Sequence, residues 1–249
     1  MGRPLLSEGS TVRIGTAGWA IGEAAKAHFP APGSNLERYS QVLPVTEINS
    51  SFHRPHRLST WERWRDSVPA DFRFSVKMPK TISHERKLVQ CTELVTDFLE
   101  QVDGLGEKLA VLLLQLPPKL SFDGEVAGAF LENLNSKSRV PIVVEPRHPS
   151  WFEEEPDRVL RSLRIGRVAA DPAICPAAAV PGGWRGLEYW RLHGSPIKYR
   201  SSYDDRLPSY AELLQHGGDH GAERWCIFDN TASSAAIADA VELQAITRS

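Results

Sequence analysis

Short apolar runs recur along the whole chain, at residues 12–16, 45–48, 72–76, 110–114, 140–144, 167–170, 189–192 and 225–228. Each is four or five residues long, the length of a strand rather than of a buried helix. Between them the period changes to the helical one. Ser34 with Glu37, and Ser59 with Glu62, have the spacing of capping boxes, in which the hydroxyl and the carboxylate satisfy each other's orphan N–H groups. Residues 92–103 close at Gly104, residues 156–164 open on a proline and stop before Gly166, and residues 235–246 carry an apolar stripe at helical spacing. Residues 172–186, rich in Pro, Gly and Ala, read as a long loop after the sixth strand. Eight strands roughly 30 residues apart, alternating with helices, predict an α/β protein. The expected architecture is a single (β/α)8 TIM-type barrel domain over residues 1–249 with residues 1–10 flexible; an open doubly wound sheet is the rival.

The alternation within the strands assigns side chains to faces. Phe72, Phe74 and Val76 alternate with Arg73, Ser75 and Lys77, and Trp190 and Leu192 alternate with Tyr189, Arg191 and His193. The apolar set belongs against the helices, so the polar set faces the barrel interior. By the same count Glu47 and Asn49 share one parity, and Glu145 continues that of Val143. TIM-type barrels hold their sites at the C-terminal ends of the strands. The polar residues placed there are Thr16, Trp19, Glu47, Asn49, Lys77, Gln115, Glu145, Arg147, His148, Asp171, Arg191, His193, Asp229 and Asn230. A buried ion-pair network that only braces the barrel is the competing use of the same charges.

Composition removes several classes. With 41% apolar and 24% charged residues the chain is neither disordered nor collagen-like. No apolar run approaches the roughly 18 residues of a membrane span, and the first residues lack the apolar stretch of a signal peptide, so a soluble, cytoplasmic protein without membrane contact is expected. Lys and Arg total 29 against 31 Asp and Glu, so no overall basic charge announces nucleic acid. The three cysteines lie far apart, without zinc-site or disulfide-framework spacing. No phosphate-binding glycine loop and no nucleophile elbow occurs, hence no nucleotide cofactor and no covalent Ser or Cys mechanism is expected.

The runs 14–19 (IGTAGW), 47–52 (EINSSF), 144–151 (VEPRHPSW), 190–194 (WRLHG) and 228–230 (FDN), in that order, resemble the YecE-like family. That resemblance spans nearly the whole chain and implies a TIM-type barrel of bacterial or archaeal origin, with polar residues at Glu47, Asn49, Lys77, Glu145, Arg147, His148, Arg191 and His193; it implies no reaction. The family more often has an Asn at the position of Asp229, and aromatic residues at those of His53 and Pro146.

Three functions suit this set. The first is an enzyme performing acid–base chemistry on a small anionic or phosphorylated metabolite, with Glu145, His193, Lys77 and Glu47 as catalytic groups and Arg147, Arg191, Asn49, His148, Trp19, Asn230 and Gln115 as substrate contacts. Lys77 could also form a Schiff base, although Arg73 and two carboxylates on neighbouring strands favour a permanently charged amine. The second is metal-assisted phosphodiester chemistry on nucleic acid, for which Glu145, Asp171, His193 and Asp229 would be the ligands of a divalent ion. Residues 54–87, with nine Lys or Arg against four Asp or Glu and interleaved aromatics, lend it some support, although Trp61 and Trp64 at helical spacing read more simply as packing. The third is a non-catalytic binder of an anion.

Overall fold

The computed structural model describes residues 11–216 and 221–248; the flexibility expected of residues 1–10 falls outside them. Ten strands form one sheet: β1 (Val12–Ala17), β2 (Val45–Ile48), β3 (Arg73–Lys77), β4 (Leu109–Gln115), β5 (Ile142–Glu145), β6 (Gly166–Arg167), β7 (Ala169–Asp171), β8 (Gly182–Gly183), β9 (Leu187–Leu192) and β10 (Glu223–Phe228). Their order is β7-β9-β10-β1-β2-β3-β4-β5-β6-β8, and every pairing is parallel except β6 with β8. The sheet is nearly closed. β6 lies against β5 at one end of this order and β7 lies against β9 at the other, with only Val168 between them.

All eight predicted runs fall on strands. The difference lies in the sixth, which is split at Val168, and in residues 172–186, which are not wholly loop: they contain a 3-10 turn at Pro176–Ala179 and the two-residue antiparallel strand β8. Arg167 packs against that strand, where a Cβ on Gly182 would sit 2.1 Å from its guanidinium.

Seven α-helices are present among the described residues: α1 (Asn35–Ser40), α2 (Leu58–Asp66), α3 (Thr92–Val102), α4 (Gly124–Lys137), α5 (Glu154–Ser162), α6 (Leu207–His216) and α7 (Ala235–Arg248). α1 carries the predicted capping box, with Ser34 Oγ accepting from Glu37 N–H at 3.3 Å and Glu37 accepting from Ser34 N–H at 2.7 Å. The second box does not form. α2 starts one residue before Ser59, so that hydroxyl is already inside the first turn and Arg57 occupies the cap without a side-chain bond. Pro156 stands third in α5 rather than first, where its missing N–H is still one of the orphans of the first turn. No helix among the described residues is long and apolar enough to cross a membrane.

Two apolar layers follow from the strand parity. Ile14, Ile48, Phe74, Val76, Leu112, Val144, Trp190 and Phe228 pack outward into the larger core against the helices. Val45, Val111, Leu113, Val143, Val168, Leu187, Tyr189, Trp225 and Ile227 fill the interior. Gly15 is required for this closure, because a Cβ there would lie 2.1 Å from the carbonyl oxygen of Val45 on β2. Inside, the Tyr189 and Trp225 rings stack at 6.0 Å, forming an aromatic floor below the polar ends of the strands.

Candidate functional site

Above that floor the C-terminal halves of β2, β5, β9 and β10 bring Glu47, Glu145, Arg191, His193 and Asp229 together. Arg191 is fully buried and central. Its Nε and Nη2 donate to the two oxygens of Glu47 at 3.0 and 2.7 Å, its Nη1 donates to Glu145 Oε2 at 2.5 Å, and its Nη2 also reaches Asp229 Oδ2 at 3.0 Å. The planar fork of a guanidinium suits such multiple pairing, which an ammonium could not reproduce. Tyr189 donates from below to Glu47 Oε2 at 2.9 Å. His193 lies between two carboxylates, with Nδ1 3.0 Å from Asp229 Oδ2 and Nε2 3.0 Å from Glu145 Oε1. Arg147 closes the ring, with Nη2 donating to Glu145 Oε1 at 2.6 Å.

These contacts explain the acidities. Burial by itself would raise the Glu145 carboxyl, but Arg191, then His193 and Arg147, hold it well below the usual carboxylate range. Burial likewise opposes ionisation of Asp229, and Arg191 and His193 again outweigh it. All three carboxylates are engaged by cations before any ligand arrives.

Lys77, at the end of β3, is the exception. It is only 8% exposed, yet among the described residues its Nζ forms neither an ion pair nor a hydrogen bond; it stands 4.1 Å from the centroid of the Phe52 ring. Burial, with the Arg191 charge adding to it, pushes its pKa down to about 8, against the pull of Glu47, Glu145 and Asp229. The sequence led us to expect a permanently charged amine. The carboxylates expected to hold that charge are instead engaged by Arg191, Arg147 and His193, and Arg73 bonds the Ala70 and Phe72 carbonyls at the opposite end of β3.

Beside the ring is a small opening of about 30 Å³ bordered by Glu145, Arg147, Ala170, His193 and Lys198, room for one or two waters. Lys198 and His84 both have lowered pKa values, burial being the main cause; Arg147 adds to each, and Lys77 acts on His84 as well. Phe52 also lines a separate, largely apolar cavity of about 270 Å³ with Pro55, Pro79, Leu94 and Phe98.

Several other predicted residues lie elsewhere. Thr16 faces the helices, its hydroxyl bonded to Tyr39 and to the Gly18 carbonyl. Asn230 faces outward too, donating to Ser201 O and Asp239 Oδ2, so it ties a loop to α7. Asp171 turns toward α6, accepting from Arg206 at 2.7 Å and Tyr210 at 2.8 Å, and is not brought to Glu145, His193 and Asp229 as a ligand set. His148 caps the turn Pro149–Phe152 by accepting from Ser150 N–H. Trp19 packs edge-on against Trp64 at 5.2 Å, and Trp151 is buried with its indole N–H on Leu120 O. Gln115 is half-buried beside Glu145 in register, and Asn49, just after β2, has a buried Oδ1 without a partner among the described residues. Phe52, His84, Lys198 and Tyr189 were missed as site residues. Phe52 and Tyr189 had a signal, one in the motif at 47–52 and the other in the parity of β9; His84 and Lys198 lie in loops, where no period marks direction.

A family model described as "Protein of unknown function DUF72" matches residues 13–249. The chain belongs to that family. This DUF72 chain is 34% identical over 188 residues to the UPF0759 protein YecE of Escherichia coli K12, a match covering 72% of the chain and 63% of YecE. It is 25% identical over 147 residues to the UPF0759 protein YunF of Bacillus subtilis, covering 57% and 52% of the two. Two solved DUF72 structures share its fold: one from Enterococcus faecalis at TM-score 0.81 and 20% identity, covering 96% of each chain, and one from Thermotoga maritima at TM-score 0.78 and 22% identity, covering 96% of this chain and all of that one. The match therefore spans just under two thirds of YecE's length, and at these identities the structural likeness concerns fold alone.

Proposed function

We propose that this DUF72 chain is an enzyme performing acid–base chemistry on a small anionic or phosphorylated metabolite at the C-terminal mouth of a (β/α)8 barrel. Counting β6 and β7 as one strand interrupted at Val168 gives the eight parallel strands of that fold. The observation that carries the reading is the charge left over at the mouth. Glu47, Glu145 and Asp229 are already paired with Arg191, and Glu145 with Arg147 as well, whereas among the described residues neither Lys77 nor Lys198 pairs with a carboxylate. An anion is favoured there and a divalent cation is not, since Arg191 sits among the oxygens that would bind it. Among the described residues no group of three His, Cys, Asp or Glu is arranged to hold a metal ion, and the metal-assisted reading has no geometric support.

In this reading Arg147 and Lys198 hold the anion, Lys77 exchanges a proton with substrate, and Glu47 and Arg191 fix the others in place. A lysine whose pKa is pushed down to about 8 is suited to that exchange. The full saturation of the carboxylates favours a second reading, a non-catalytic anion binder. Incubating the protein in D2O with sugar phosphates and small carboxylic acids, and following C–H signals by NMR, separates the two. The enzyme reading requires exchange or conversion with wild type and its loss in Lys77→Met; tight binding without any turnover selects the binder.

A further inference from the structure

We infer that Lys77 is an imine-forming residue, whose unpaired amine beside Phe52 condenses with the carbonyl group of a small anionic aldehyde or ketone held at the barrel mouth. The inference deepens the anion-site reading and rests on it. Three geometric observations carry it. Nζ has no carboxylate or hydrogen-bond partner among the described residues, although three carboxylates lie in the same interior, all committed to other cations. It sits at the end of a rigid strand whose register with β2 and β4 fixes its approach. It also faces an aromatic ring at 4.1 Å, an environment that accepts a delocalised cation such as an iminium without demanding its hydration.

The condensation balances without a co-reactant. The Nζ lone pair forms a bond to the carbonyl carbon, the protons shed by nitrogen pass to the carbonyl oxygen, and that oxygen leaves as water. An ammonium and a carbonyl thus become an iminium and one water, with the positive charge conserved. The iminium then draws electrons from the neighbouring carbon and acidifies its C–H, which is the acid–base chemistry of the preceding reading in a specific form.

The test is reductive trapping of the full chain with glyoxylate, a small carboxylate-bearing aldehyde, and cyanoborohydride, read by intact mass and peptide mapping. Glycolate, which has the carboxylate but no carbonyl, is run in parallel by thermal shift. The inference requires one adduct on Lys77, formed at least about tenfold faster than on the exposed lysines at pH 8, as a desolvated amine implies. It must vanish in Lys77→Arg, persist in a variant of an exposed lysine, Lys119→Met, and slow as pH falls through about 8. Because the wild-type map reports the modified residue directly, a Lys77 variant that fails to fold does not obscure the result. A melting shift with glycolate but no adduct on Lys77 overturns the imine and leaves the anion site standing. An adduct confined to Lys198, or spread over exposed lysines, also overturns it. Neither shift nor adduct removes both readings.

Discussion

Arg191 and Lys77 are both cations inside one barrel, yet only Arg191 has carboxylates within hydrogen-bond reach. Desolvation disfavours the charged form of each, and pairing offsets it in the first case alone. Lys77 is therefore held at a cost in stability. Between pH 8 and the ordinary lysine value the unfolded chain binds more protons at this position than the folded one, so the Lys77 contribution to stability rises with pH over that interval. Replacing Lys77 by Met should raise the melting temperature at pH 7 while weakening phosphate binding, both readable in one thermal-shift titration. Unchanged stability together with unchanged phosphate affinity would remove Lys77 from the site. Arg191→Met is expected to act in the opposite direction. It strands Glu47, whose remaining partner among the described residues is the Tyr189 hydroxyl, and takes one cation each from Glu145 and Asp229; loss of about 3–5 kcal/mol is the ordinary consequence of breaking a buried pair from one side, and denaturant unfolding measures it.

At the level of elements, β1 and β2 approach so closely at Gly15 that its side-chain hydrogen stands where a Cβ would be 2.1 Å from Val45 O. Gly15→Ala should separate the two strands, at about 1–3 kcal/mol, the usual range for overpacking. Because Glu47 follows Val45 at the next inward position of β2, the same substitution should weaken anion binding without touching the mouth, which calorimetry with phosphate would detect. The capping box of α1 shows a purely local signal read correctly. The failed box at Ser59 shows its limit: the hydroxyl and Glu62 have the right spacing, but α2 begins at Leu58 and Ser59 no longer occupies the cap. Nothing local distinguishes the two serines.

Across the whole molecule the interior charges act as one acid-sensitive unit. Glu145 and Asp229 both titrate below their ordinary values in the folded state. A lowered carboxyl pKa contributes stability that is complete above the unfolded value, about 4, and is lost as pH falls through the folded one. The contribution of these two carboxylates should therefore be complete above about pH 5 and be lost steeply below about 4, and Glu145→Gln should flatten that acid limb of the melting temperature. An acid limb identical in the variant would show that Glu145 takes no part in it.

The alternation of apolar and polar residues by itself determined which stretches are strands, that Ser75, Lys77, Tyr189, Arg191 and His193 face inward, and that Glu47 and Glu145 reach the same end of the sheet. A strand's two-residue period is local, so these facts survive without knowledge of neighbours. Pairing is not local. Whether Arg191 or Lys77 would take the carboxylates, that Asp171 would turn to Arg206 and Tyr210, and that Thr16 and Asn230 would bond outward all depend on strands far apart in sequence meeting in one register. Only the closed tertiary arrangement decided them, because a buried charge is governed by the partners that lie within hydrogen-bond distance and not by its place along the chain.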